Sequence, residues 1–185
     1  FKPLAISLGT TEQQVEAPTS GPWSPHDLFQ RSGNPDRNRL ADINNDGRLD
    51  AVIGYEAINV QGKVAWYEQP GTATNLWEEH IIADDVIGPM SLDVADMDGD
   101  NDLDVVVGEH YMTNESAARV LVYENPGNET DPWIRHVVST GDEHHDGAQL
   151  VDIDNDGDLD VISIGWGHNR VLLYENQGCV IDLEP

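Results

Sequence analysis

The stretch Asp152-Ile153-Asp154-Asn155-Asp156-Gly157-Asp158-Leu159-Asp160 decides how this chain folds, because the sequence contains three versions of it. The other two versions are Asp42–Asp50 and Asp96–Asp104. Aspartate or asparagine stands at positions 1, 3, 5 and 9 of every version, and leucine stands at position 8. One such acidic string could arise by chance, but three in register indicate a repeated structural unit.

The spacing of the oxygen-bearing side chains predicts a calcium site in each string. Side-chain oxygens at positions 1, 3, 5 and 9, with a backbone carbonyl at position 7, suit a hard cation that takes about six to eight oxygen ligands. Position 6 must turn sharply; Gly47 and Gly157 tolerate a positive φ there, and Asn101 is the next best residue. We therefore expect about three calcium ions. The expected ligands are Asp42, Asn44, Asp46, Arg48 and Asp50 in the first loop, Asp96, Asp98, Asp100, Asp102 and Asp104 in the second, and Asp152, Asp154, Asp156, Asp158 and Asp160 in the third.

The residues around these strings exclude the EF-hand, the commonest calcium loop. An EF-hand places a bidentate glutamate at position 12, where this chain has Ile53, Val107 and Ser163. An EF-hand also needs flanking helices, whereas segments such as 103–108 and 159–165 are rich in β-branched residues that favour strands. Each acidic loop is therefore predicted to cap a β-hairpin.

The repeat is longer than the acidic loop. Trp23, Trp77 and Trp133 each precede the first aspartate of a loop by 19 residues, which gives a period of 54–56 residues. Four short strands separated by turn residues fit into one period, as in a propeller blade, and helix should be scarce. The predicted fold is all-β, with three propeller-type four-stranded blades and calcium-binding hairpin loops. The predicted boundaries are 1–21 for an N-terminal strand and polar linker, 22–75 for blade 1, 76–131 for blade 2, and 132–185 for blade 3 with a C-terminal strand.

Several motifs together resemble the FG-GAP/VCBS repeat family, whose calcium-binding β-propeller blades are similar to those of integrin α chains. They are the acidic loop, its exit Leu103-Asp-Val-Val-Val and the turn Tyr123-Glu-Asn-Pro-Gly. The resemblance covers residues 22 to about 178 and implies calcium ligation at the loop positions. The literal Phe-Gly and Gly-Ala-Pro elements are missing, so the VCBS-type branch is the more similar one. The family does not imply one function, since its members include adhesins, lectins and appendages on polysaccharide enzymes.

The charge of the chain excludes some partners. Its 185 residues include 35 acidic and nine basic ones, which gives a formal net charge of −26. Such a surface repels nucleic acid and anionic lipid, so we expect neither nucleic-acid binding nor membrane insertion. Cys179 is the only cysteine, which excludes an intrachain disulfide. Loops that need micromolar to millimolar calcium indicate an extracellular location, either secreted or at the cell surface.

Three repeats leave the fold open, because closed propellers have about four to eight blades. The propeller is therefore expected to be incomplete or completed between molecules. Leu4–Leu8 and Cys179–Leu183 alternate like strands. Both could complete blades of their own chain, or Phe1–Gly9 could add a strand to a neighbouring subunit. The favoured function is a non-enzymatic binding or assembly module, such as a ring, fibre or adhesive subunit, whose partner is another copy or another protein.

Carbohydrate binding is an alternative function. Tyr55, Tyr111 and Trp166 follow shortly after the glycine that ends each hairpin and could stack on sugar rings, with packing between blades as the competing interpretation. His110, His145 and His168 could line the same rim of the predicted propeller as these aromatic residues. There they could hold a sugar or a second metal ion.

A third alternative is a partial or non-catalytic domain of a polysaccharide-active, lyase or dehydratase-like enzyme. We predict no catalytic residues, because the sequence contains no nucleophile elbow, phosphate loop or zinc-protease motif. Asn114 and Asn128 begin N-glycosylation patterns in predicted loops and are candidate modification sites.

Overall fold

The computed structural model shows an all-β protein. It describes residues 24–29, 33–57, 59–128, 130–145 and 147–178. These residues form eleven strands and one short 3₁₀ helix, Met112–Ala117. The prediction that helix would be scarce is confirmed. No helix in the described ranges is long and apolar enough to cross a membrane.

The strands form three antiparallel sheets, and neighbours in sequence are neighbours in each sheet. The first sheet contains β1 (Asn34–Ala41), β2 (Asp50–Glu56), β3 (Gln61–Glu68) and β4 (Glu78–Ile87). The second contains β5 (Pro89–Ala95), β6 (Asp104–Glu109), β7 (Arg119–Glu124) and β8 (Ile134–Thr140). The third contains β9 (Gly147–Val151), β10 (Asp160–Ile164) and β11 (Val171–Tyr174).

The sheets are shifted by one strand from the sequence repeats. Boundaries at 76 and 132 would separate β4 from β3 and β8 from β7, yet these pairs are hydrogen bonded, with Trp66 opposite His80 and Val122 opposite His136. The connection after β3, residues 69–77, returns the chain antiparallel to the strand it has just left, and consecutive strands are usually neighbours. The strands that follow Trp77 and Trp133 therefore close the preceding sheet rather than opening the next one.

The sheets pack on one another in chain order. The first strands of the sheets meet, since β1 contacts β5 and β5 contacts β9. Between the first and second sheets lies the largest buried apolar cluster, which includes Val64, Trp66 and Leu92. A smaller cluster joins the second sheet to the third and includes Val120 and Val161. The buried apolar faces of the strands are thus the surfaces that hold neighbouring sheets together.

Two faces remain at the ends of this row of sheets. The outer face of the first sheet is buried, and Phe29 stacks on Tyr67 there with ring centroids 3.8 Å apart. The outer face of the third sheet is exposed at Val171 and Leu173. Terminal strands were expected within residues 1–9 and 179–183, and these segments lie outside the described residues.

Candidate metal centres

Each acidic loop joins the first two strands of its sheet. The loops follow β1, β5 and β9 and lead into β2, β6 and β10, as the hairpin prediction required. The predicted sharp turn at position 6 is also confirmed, with φ angles of 85° at Gly47, 76° at Asn101 and 102° at Gly157. The sequence analysis missed a second left-handed residue two positions earlier. It is Asn45, Gly99 or Asn155, depending on the loop.

The aspartate at position 9 has a structural role that the sequence analysis did not foresee. Asp50 is 0% exposed, and its two oxygens accept hydrogen bonds from Ile43 N at 3.0 Å and Gln69 N at 2.9 Å. Asp104 and Asp160 accept equivalent pairs of bonds. Each carboxylate thus ties its loop to the segment that begins just after the third strand of its sheet. A carboxylate oxygen has more than one lone pair, so these bonds are compatible with metal ligation.

The second and third loops bring carboxylates together. The oxygens of Asp96, Asp98 and Asp104 lie within 4.8 Å of one another in the second loop. Burial raises the pKa of Asp104 to about 6, although backbone N–H groups of Asn125 and Met97 donate to it. Like charges this close repel, and burial makes the repulsion stronger. A divalent cation is the group that would neutralise them.

The third loop provides an independent test of whether a cation fits. Asp152, Asp154 and Asp156 also place their oxygens within 4.8 Å of one another. One oxygen of Asp152 is buried and has no hydrogen-bond partner among the described residues. An orphaned buried carboxylate oxygen is costly. The donor set consists of oxygens alone, so these clusters could hold calcium.

The first loop differs from the other two. The guanidinium of Arg48 pairs with the carboxylate of Asp46 and also donates to Gln69 O at 2.8 Å. Both oxygens of Asp42 accept backbone N–H groups within the loop, at 2.9 and 2.8 Å. This loop forms no three-membered cluster of acidic ligand atoms. Its negative charge is therefore partly neutralised by its own arginine.

The predicted rim aromatics have different environments. Tyr55 is 3% exposed, and its hydroxyl bonds to that of Tyr67 within the buried cluster on the outer face of the first sheet. Tyr111 is partly exposed beside the 3₁₀ helix. Trp166 is 68% exposed and lies edge-on to the ring of His145, with centroids 5.7 Å apart. Only Trp166 among the three offers an open aromatic face.

The predicted rim histidines gather around a residue that the sequence analysis missed, the fully buried Glu143. One oxygen of Glu143 bonds to His110 Nδ1, and the other accepts Trp166 N at 2.5 Å. Burial tends to raise the pKa of Glu143, but these bonds outweigh it and lower the pKa overall. His168 Nε2 bonds to the backbone oxygen of Glu143 at 3.0 Å. A single glutamate in a loop carries no sequence signal that could have revealed this role.

Both candidate glycosylation sites are exposed; Asn114 lies within the short 3₁₀ helix, and Asn128 lies in the loop between β7 and β8. The Oδ1 of Asn114 accepts a bond from Ser116 Oγ at 2.9 Å. The Oδ1 of Asn128 accepts one from Thr130 Oγ1 at 2.8 Å. The structure permits access to both, and modification of either stays a prediction.

Comparison with known proteins supports part of the resemblance. Residues 42–107 match the family model of the FG-GAP-like repeat. The match runs from the first acidic loop into β6 and therefore covers the first two loops. No curated protein gave a significant match to the chain.

Proposed function

We propose that the protein is a calcium-stabilised, non-enzymatic assembly module of propeller-type blades that acts outside the cell. The three loops support the calcium part, because their oxygen ligands recur at one position in each sheet. Calcium would do structural work by neutralising carboxylates that otherwise repel one another. Extracellular calcium is plentiful enough for loops of modest affinity, which supports the location.

The observation that carries the assembly part is the outer face of the third sheet. Val171 is 73% exposed and Leu173 is 48% exposed on this face. Their equivalents are Val120 and Val122 in the second sheet, which are 0% and 8% exposed, and Val64 and Trp66 in the first, which are 0% and 3% exposed. The first two sheets bury these positions under the next sheet in the row. The third sheet presents the same kind of face with nothing over it in the described residues.

The partner we propose for this face is the third sheet of a second copy. Two identical apolar sheet faces can pack against each other about a twofold axis, which gives a closed dimer. Burial of Val171 and Leu173 would contribute roughly 1.5–3 kcal/mol each. Two chains with a formal charge of −26 repel each other, so calcium and salt should strengthen the association.

Sedimentation velocity in calcium tests this proposal. The wild type should reach twice its 20.4 kDa chain mass, and Val171→Lys with Leu173→Lys should remain a monomer. Leu76→Lys is the matched control, because Leu76 is 69% exposed outside this face and should leave the dimer intact. A wild type that stays monomeric at high concentration would refute assembly. A mass that falls only when residues 1–9 are deleted would assign the joint to the N-terminal strand instead.

Carbohydrate binding is a second candidate function, and the exposure of Trp166 favours it. An open indole face next to histidine side chains can stack on a sugar ring while polar groups orient the hydroxyls. A glycan array with the wild type and Trp166→Ala tests it. Binding that Trp166→Ala abolishes would support this function, and an array without hits would count against it.

A further inference from the structure

The first two sheets each place a histidine beside a glutamate, but the two pairs have different geometry. In the second sheet His136 Nε2 and Glu124 Oε2 are hydrogen bonded at 2.7 Å. In the first sheet His80 Nε2 lies 3.4 Å from Glu68 Oε2. His80 Nε2 is buried and makes no hydrogen bond within the described part of the chain. A buried imidazole nitrogen without a hydrogen bond is costly and needs an explanation.

One residue next to the pair differs between the two sheets. Glu78 stands opposite Glu68 on the neighbouring strand, whereas Ile134 stands opposite Glu124. Like charges directly opposite each other destabilise a pair of strands. The ligand atoms of Glu68, Glu78 and His80 nevertheless lie within 4.8 Å of one another. The first sheet therefore assembles two carboxylates and one imidazole where the second has only a bonded pair.

The imidazole of the first sheet is also held in place. The ring of His80 stacks on Trp66, with centroids 4.2 Å apart and planes 13° apart. In the second sheet the position of Trp66 is taken by Val122, so His136 has no such support. His80 and Trp66 line a groove of about 440 Å³ between the first and second sheets, which gives solvent access to the ring.

We propose that Glu68, Glu78 and His80 bind a divalent transition-metal ion, with zinc as the best match. Imidazole suits zinc and its neighbours rather than calcium, and carboxylates complete such sites. A tetrahedral ion with bonds of about 2.1 Å holds its ligand atoms roughly 3.4 Å apart. The separation between His80 Nε2 and Glu68 Oε2 matches that value. The guanidinium of Arg48 lies 3.7 Å from the other oxygen of Glu68, Oε1.

The proposed ion would join β3 to β4 and leave a coordination position open to water, because the site is partly exposed. The side chains of Glu68 and His80 are 27% and 22% exposed. This site is distinct from the acidic loops in its ligands and depends neither on calcium nor on dimerisation.

The test is a calorimetric titration of the calcium-saturated protein with zinc chloride. The wild type should bind one zinc ion at this site, and His80→Gln and Glu78→Gln should each weaken that event. The loss of zinc affinity should be at least as large as the roughly 10- to 100-fold loss seen when a residue that hydrogen bonds to a metal ligand is mutated. His136→Gln is the matched control, since the second sheet lacks the third ligand, and it should titrate like the wild type.

The second sheet also allows a gain-of-function test. Ile134→Glu supplies the missing carboxylate opposite Glu124 and should add a second zinc-binding event. Thermal melts show whether each variant is folded, and a zinc-dependent rise in midpoint should vanish in His80→Gln. The proposal is wrong if the wild type takes up no zinc. It is equally wrong if His80→Gln and His136→Gln lose zinc to the same extent, because the ion would then bind elsewhere.

Discussion

Asp104 accepts a hydrogen bond from the backbone N–H of Asn125 at 2.8 Å, and this bond fastens the second acidic loop to the end of β7. The other oxygen of Asp104 accepts Met97 N at 2.8 Å. The residue that closes the loop thus also holds three strands of the sheet in register, with or without a cation.

Asp104→Ala should destabilise the protein even in excess chelator. The substitution leaves two backbone donors without their acceptor, which costs about 1–3 kcal/mol each where the groups stay buried. Urea unfolding in chelator measures the loss without interference from calcium. Asp100→Ala is the control, because Asp100 is exposed and accepts a single bond within the loop. Equal losses in the two variants would show that position 9 has no special structural role.

Removal of calcium should lower the thermal midpoint strongly. A site held at 100 times its dissociation constant contributes about 2.7 kcal/mol to folding. Several such sites would rival the roughly 5–15 kcal/mol of a typical domain. Melts with calcium and with chelator make the comparison, and magnesium in place of calcium checks the selectivity. An unchanged midpoint would contradict the structural role of the ion.

The first loop should release calcium before the others. It has three carboxylates at positions 1, 3, 5 and 9, whereas the other loops have four. Arg48 also competes for Asp46. Asp46→Ala should therefore weaken total calcium binding less than Asp156→Ala. Arg48→Ala should raise the affinity of the first loop, which calcium titration by calorimetry can resolve. The reverse order would show that neither charge count nor the arginine sets affinity.

Acid should destabilise the protein through His144. Burial lowers the pKa of this histidine from 6.5 to about 4. Between these values the unfolded chain binds the proton more readily, so stability falls as the pH falls through this window and is unaffected above it. The loss should amount to roughly 2–4 kcal/mol by pH 4, at about 1.36 kcal/mol per pKa unit. The stability difference between wild type and His144→Gln, measured by urea unfolding, isolates this contribution. A difference that does not change between pH 7 and pH 4 would contradict the assignment.

The sequence predicted the local features that depend on residue spacing. The hairpin loops and the left-handed residue at Gly47, Asn101 and Gly157 follow from short-range chemistry, and the structure contains them. Contacts between distant segments could not be read in this way. Glu143 gives no local pattern, yet it collects His110 and the backbone of Trp166 from other parts of the chain.

Which sheet the strand at each repeat boundary joins could not be predicted for a related reason. A period fixes how often a strand recurs but not which neighbour it pairs with. The same ambiguity hid Glu78, whose partner Glu68 becomes visible only once β4 is placed beside β3. The exposure of Tyr55 and Trp166 likewise depends on which sheet face is covered, although both follow equivalent hairpins.

The shift between repeats and sheets has a consequence for unfolding. Separating two neighbouring repeats at residue 76 requires breaking the hydrogen bonds between β3 and β4, and separating them at residue 132 requires breaking those between β7 and β8. Neighbouring repeats therefore share a sheet, and we expect them to unfold together rather than one after another.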